Sequence, residues 1–270
     1  MLRILSDLHL FDARTQVRSL AQLEPLLAGV GTLVLNGDTC EMRRGVTPGQ
    51  LAELKAFFSE RVPEVVFITG NHDPEISKKH ELLVSEGRVW VTHGDICFDD
   101  LTPWAWHVAE LRRLVAEERA ADPAADYGRI EVRVRIARAA ARRETDLPDR
   151  TTRTWASHLA WVWRTFFPPR QTLAMLQCWR DLPARAARLA SAERRSAQVV
   201  ITGHVHFPGV WHPPGGPVVI NTGSFFRPLG GHLVDIEGDR LQVRRIVHTG
   251  KAFSAGRLVA EIPLRRTGEK

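Results

Sequence analysis

The sequence predicts an α/β fold with buried strands, and three observations predict it. Four short β-branched or aliphatic runs in the first hundred residues, RILSDLHL, TLVLNGD, EVVFITGNHD and RVWVTHGD, each end in a small polar cluster. Between them lie VRSLAQLEPLLAG and TPGQLAELKAFFSERV, whose apolar residues recur at about helical spacing. After a long helix-like block, strand-like runs return from QVVITGHVH onward. Apolar strands alternating with amphipathic helices describe a sheet covered on its faces.

Each element has its own signal. Thr47 before Pro48 is an N-cap followed by proline at the first helical position, so a helix starts there. From about Phe98 to Ala197 the chain changes in kind. HVAELRRLVAEERAA and RTWASHLAWVWRTFF read as helices, the second with Trp155, Leu159, Val162, Trp163 and Phe166 in one apolar stripe. In RIEVRVRIARAAARRE, Ile130, Val132, Val134 and Ile136 alternate as in a strand, while the alanine-rich continuation favours helix; we read it as helix. PVVINTGSF and RLVAEI follow as strands, and GHLVDIEGDRLQVRRI as a β-hairpin turning at Glu237-Gly238-Asp239. The organisation expected is one domain over residues 1–270 with a helical, Arg- and Trp-rich insertion, or lid, at 98–197.

Composition bounds the function. At 270 residues, 44% apolar and 25% charged, the chain is long enough for a sizeable core. No window approaches the roughly 18 apolar residues of a membrane span, and MLRILSDLHL reads directly into structure, so a cytoplasmic protein is expected. Cys40, Cys97 and Cys178 lack C-x-x-C spacing, which suggests reduced, buried thiols rather than a disulfide framework or a thiolate zinc site. The charge is uneven: residues 101–200 hold 18 Arg, no Lys and 11 acidic residues, more than the whole chain's excess of +6, with six of the eight tryptophans. Such a block is either a set of solvated helix faces or a surface for an anionic partner.

Side chains suited to metal ligation gather where the apolar runs end. The clusters are Asp7 and His9; Asp38; Asn71, His72 and Asp73; His93 and Asp95; and His204 with His206. In open α/β sheets ligands bind at the carboxyl ends of strands, so five segments can supply one cleft. Imidazole, carboxylate and amide oxygen suit Mn, Fe, Zn or Co. Seven ligands are too many for one catalytic ion that keeps an open position. They suit two ions about 3.5 to 4 Å apart, bridged by a carboxylate and by a water that becomes hydroxide near neutral pH.

In this order SDLHL, NGD, GNHD, THGD and GHVH, with INTGSF shortly after, resemble the signature blocks of the calcineurin-like metallophosphoesterases. The resemblance implies a two-layer β-sandwich flanked by helices and two divalent ions, Mn first, with Fe, Zn, Co or Mg as alternatives. Asp7, His9 and His206 would hold one ion and Asn71, His93 and His204 the other, with Asp38 bridging. His72 would contact phosphoryl oxygens or protonate the leaving group, and Asp73 would either orient it or cap a helix before Pro74. Asp95 would support a ligating imidazole. The implied reaction is in-line attack of the bridging hydroxide on phosphorus.

The family spans many phosphate esters. GDTCE and the helical block before GHVH are similar to bacterial UDP-2,3-diacylglucosamine hydrolases, which release lipid X and UMP in lipid A synthesis. A nucleotide-linked lipid, met peripherally on the anionic inner membrane face, is therefore one expected partner. Arg112, Arg113, Arg142 and Arg143 are the candidates to bind its phosphates. The alternatives are a phosphodiesterase or phosphatase acting on soluble nucleotides or phosphoproteins, a nuclease, or a metal-binding scaffold without activity. His107, His158, His212, His232 and His248 are expected in surface or packing roles, and Ser224 in a tight turn.

Overall fold

The computed structural model describes residues 1–105, 107–145 and 170–265. The helix expected over RTWASHLAWVWRTFF, His158, and four of the six tryptophans of the insertion lie outside the described residues. Strands β1 (Leu2–Leu5), β2 (Thr32–Asn36) and β3 (Glu64–Ile68) run parallel, and β9 (His232–Glu237), β10 (Arg240–His248) and β11 (Phe253–Pro263) add antiparallel to β1. The order is β11-β10-β9-β1-β2-β3. A second sheet runs β4-β5-β6-β8-β7, built on parallel β5 (Val89–Thr92), β6 (Val199–Thr202) and β8 (Val218–Asn221). Antiparallel β4 (Glu81–Val84) and β7 (Gly209–Trp211) form its edges.

The strands are apolar throughout because both faces of each sheet are covered. Ile4, Val34, Val66, Val89, Val91, Val199, Ile201 and Ile220 pack between the two sheets. Their strand neighbours Leu5, Leu33 and Leu35 turn outward onto α1 (Glu24–Leu27) and α2 (Pro48–Ser59) through Leu26, Leu54 and Phe58. On the other side Trp90, Val200 and Val219 meet α3 (Val108–Ala120), α4 (Ile130–Thr145) and α5 (Arg170–Glu193). The period of two thus divides each run between two cores. The result is two mixed sheets flanked by helices, the metallophosphoesterase-like two-layer sandwich expected.

The local signals hold as well. Thr47 caps α2 through the Gln50 N–H, with Pro48 at its first position. The hairpin turns between Glu237 and Arg240. All three cysteines are free and buried. The ambiguous 130–145 stretch is helix α4: Ile130, Val134, Ala137, Ala141 and Glu144 form its buried face at helical spacing, and the alternating valines fall partly off it. Among the described residues no helix is long and apolar enough to cross a membrane.

Candidate metal centre

Parallel strands bring the polar clusters together at their carboxyl ends. Asp7 and His9 follow β1, Asp38 follows β2, Asn71 to Asp73 follow β3, His93 and Asp95 follow β5, and His204 and His206 follow β6. The two sheets are tied at this end by Asn36, whose Nδ2 donates to the Thr92 carbonyl at 2.9 Å. The turns must run close to the carboxylates. A Cβ on Gly203 would lie 2.0 Å from Asp7 Oδ2, and one on Gly70 would lie 2.1 Å from Asp38 Oδ1, so glycine is required at both. Five of the ligand-type residues adopt left-handed backbone: Asp7 (φ 52°), His9 (47°), Asp38 (51°), His204 (71°) and His206 (56°). Such conformations are sparsely populated, and their clustering at one place marks a site that over-determines its backbone.

Ligand atoms of Asp7, His9, Asp38 and His206 all lie within 4.8 Å of one another, as do those of Asp38, His93 and His204, so Asp38 belongs to both groups. Asn71 Oδ1 stands 3.2 Å from His93 Nε2. His93 donates Nδ1–H to the Asn36 carbonyl at 3.1 Å, which turns Nε2 toward Asn71 and Asp38; His204 donates Nε2–H to the Leu101 carbonyl at 2.8 Å, which leaves Nδ1 as its lone pair. Potential ligand atoms crowd together: His9 Nε2 is 3.0 Å from His206 Nε2, and Asp7 Oδ1 is 3.2 Å from His206 Nε2. The Asp7 and Asp38 carboxylates are 0% and 1% exposed. Buried carboxylates with converging imidazole nitrogens suit cations, and the mixed nitrogen and oxygen set without thiolate fits two divalent ions sharing Asp38.

Burial and the His93 charge take His204 down to about 4. Burial, with His72 next, holds His9 well below the ordinary imidazole value. Burial alone would lower His93, but the Asp38 charge and hydrogen bond raise it to about 10.

His72 stands beside both groups, with Nε2 3.9 Å from Asp38 Oδ2. Its partner is Glu41, which accepts Nδ1–H at 2.6 Å; His9, Glu41 and His72 make a third convergent group. Burial and Arg43 lower the His72 pKa, yet Glu41 and Asp38 outweigh them and raise it. Asp73 does not orient His72, and no helix starts at Pro74. Its carboxylate accepts the backbone N–H groups of Asp38 (3.1 Å), Thr39 (2.7 Å), Cys40 (3.4 Å) and Gly70 (2.7 Å), pinning the Asp38 turn to the β3 turn. Asp95 does not support His93 or His204 by a hydrogen bond, since the Nδ1–H of His93 and the Nε2–H of His204 go to carbonyls. It pairs instead with buried Arg138 of α4.

The four arginine candidates face outward into surface ion pairs: Arg112 with Asp100, Arg113 with Glu110 and Glu117, Arg142 with Glu75, and Arg143 with Glu117 and Glu118. A cation that does stand beside the site is Arg43, on the 3-10 turn Met42–Arg44, bonded to Glu41 and Glu144 and in contact with His72. His107 is not a bland surface histidine, because its Nε2 meets Glu144 Oε1 at 2.6 Å. Sequence reasoning missed Arg43, Arg138 and Glu144. The last two had a signal: once α4 is phased, they are charges on its buried face.

No protein-family model and no curated protein matches this chain. Solved structures similar to it include Vps29 from Chaetomium thermophilum, 10% identical over 98% of each chain with a TM-score of 0.47. A single mutant of Vps29 from Entamoeba histolytica is 12% identical over 98% of this chain and 99% of that one, with a TM-score of 0.46. A dimetal phosphatase from Danio rerio is 11% identical over 97% of this chain and 98% of that one, with a TM-score of 0.45. Likeness at this level says nothing of what the present chain does; the chemistry rests on its own residues.

Proposed function

We propose that this protein is a dinuclear-metal-dependent phosphoester hydrolase of the calcineurin-like metallophosphoesterase superfamily. The observation that carries the reading is the convergence of two donor groups on the shared, buried Asp38. Asp7, His9 and His206 would hold one ion, Asn71, His93 and His204 the other, and Asp38 both. Two ions held by these residues would supply Lewis-acid charge opposite phosphoryl oxygens and lower the pKa of a bound water so that hydroxide is available as the nucleophile. Glu41 fixes the His72 ring by its Nδ1–H, so Nε2 faces the groups and can protonate the leaving oxygen or bond the phosphoryl group. Arg43 spends Nε on Glu41 and Nη1 on Glu144, so Nη2 beside the His72 ring is the nitrogen that would reach a phosphoryl oxygen. Burial of His93 and His204 keeps bulk water from the back of the site.

The test is hydrolysis of an aryl phosphodiester and an aryl phosphomonoester with Mn²⁺ present. Chelator and Asp38→Ala are each expected to lower kcat/KM by about 10³-fold or more, as for loss of a metal Lewis acid worth several kcal/mol. Full activity in chelator, or in the variant, would refute the reading, and a stable metal-loaded protein with no turnover would favour a binding scaffold.

For the substrate, a nucleotide-linked lipid diphosphate is the first class to assay, in a cytoplasmic protein that meets the membrane peripherally. Its support is the Gly-Asp-x-x-Glu run ending at Glu41 and the exposed Leu173 and Leu176, 51% and 47% accessible on α5, an apolar face suited to acyl chains. The surface pairing of Arg112, Arg113, Arg142 and Arg143 leaves phosphate binding to Arg43. Release of UMP from UDP-2,3-diacylglucosamine is the expected result. Cleavage of soluble nucleotides alone would move the assignment to them.

A further inference from the structure

The helices between β5 and β6 enter the site through one side chain. Glu144 lies in the last turn of α4 and is 4% exposed. A carboxylate there opposes the negative end of the helix dipole, and its desolvation is unfavourable besides, so α4 gains nothing from it. Its bonds go elsewhere: Oε1 accepts Arg43 Nη1, 101 residues away, and meets His107 Nε2 at 2.6 Å. Oε2 has no hydrogen-bond partner among the described residues. Arg43 is held on a second side by Glu41, whose Oε1 accepts Nε–H at 3.0 Å. Two buried carboxylates, one from the β2 turn and one from α4, thereby fix both edges of the guanidinium. The remaining nitrogen, Nη2, lies against the His72 ring, in contact with Nδ1 and 2.6 Å from Nε2, beside the histidine that adjoins the metal-type donors. Removing Glu144 would leave Arg43 tethered by one edge, free to swing about its Nε contact.

We propose that Glu144 is a positioning residue for Arg43, so that the helical segment completes the phosphate-binding face of the site and does more than cover it. The inference rests on the phosphoesterase reading for its substrate but has its own test. Inorganic phosphate is titrated calorimetrically into Zn²⁺-loaded wild type, Glu144→Gln, Arg43→Ala and the double variant, with metal content and helical circular dichroism checked for each. Glu144→Gln and Arg43→Ala are each expected to weaken phosphate about tenfold or more, as for a charged hydrogen bond. The double variant should bind no more weakly than Arg43→Ala, because Glu144 acts through Arg43. Glu144→Asp keeps the carboxylate and should recover part of the loss, which a merely destabilised helix would not; it is also the variant to use if Gln unfolds the protein. Wild-type affinity in Glu144→Gln, effects that multiply in the double variant, or no phosphate binding by the metal-loaded wild type would overturn the proposal. Coupled phosphate binding without hydrolysis of either aryl ester or of the nucleotide-linked lipid would retire the hydrolase reading and keep this one; hydrolysis with multiplying effects would do the reverse.

Discussion

His232, the first residue of β9, is 9% exposed, and its Nδ1 meets no hydrogen-bond partner among the described residues. Burial, then the charges of Arg245 and Arg257, bring its pKa down to about 4. The imidazole of an unfolded chain titrates near 6.5. Between those values the unfolded chain takes up a proton that the folded chain refuses. The contribution to stability is therefore full above about pH 6.5 and is lost as pH falls toward 4. Replacing His232 by Gln removes this titration, so the melting temperature of the variant should fall less steeply than that of the wild type across the window. Parallel curves in differential scanning fluorimetry would show that His232 is not held neutral. At this scale the metal-type residues were legible in the sequence, because each stands one to four residues past an apolar run and several follow a glycine that the turn demands. Arg43 was not. Met-Arg-Arg reads as any polar turn, and the partner that gives it meaning is 101 residues away.

Helix α4 shows what an element adds to its residues. Its alternating valines pointed to a strand as readily as to a helix, and only the buried stripe from Ile130 to Glu144 settles the period. Within that stripe Arg138 is almost fully buried and pairs with Asp95, whose turn begins two residues after His93. Burial raises the Asp95 pKa, and Arg138, followed by His93 and His204, more than reverses it, holding the carboxyl below its ordinary range. Met in place of Arg138 keeps the bulk and removes the charge. An unpaired carboxylate then stays buried, for which the loss is about 3–5 kcal/mol, whereas pairing that change with Asp95→Asn should recover most of it. Chemical denaturation of the two single variants and the double measures this directly. If Arg138→Met alone is as stable as the double variant, the pair does not anchor α4 to the β5 turn. The sequence marks Asp95 by its place after β5 and Arg138 as a charge on the buried face of a phased α4, but not the pairing, which joins a turn to a helix 43 residues on.

Across the whole molecule the donors come from both sheets: Asp7, His9, Asp38 and Asn71 from the sheet centred on β1, and His93, His204 and His206 from the one centred on β6. The fold was readable because the strand runs are apolar on both faces, and the ligand-type clusters at their ends pointed to one cleft; that the cleft lies at a junction of two sheets depends on how one sheet lies against the other, which no local pattern carries. In the folded chain Asp7, Asp38, His93 and His204 are all buried within that junction. Ions bound there would link the sheets, and the unfolded chain, with its ligands scattered over two hundred residues of sequence, would hold them only weakly. Stability should therefore rise with divalent metal by mass action, about 2.7 kcal/mol per site at a hundredfold excess over Kd. For a chain of this size that corresponds to a melting temperature roughly 5 °C or more above that in chelator. Because Asp38 serves both groups, Asp38→Ala should abolish most of the rise, whereas His206→Ala, which touches one group, should keep part of it. Equal melting temperatures in Mn²⁺ and in chelator, measured on the same wild-type preparation, would mean that the convergent donors hold no ion and that their left-handed turns serve another end.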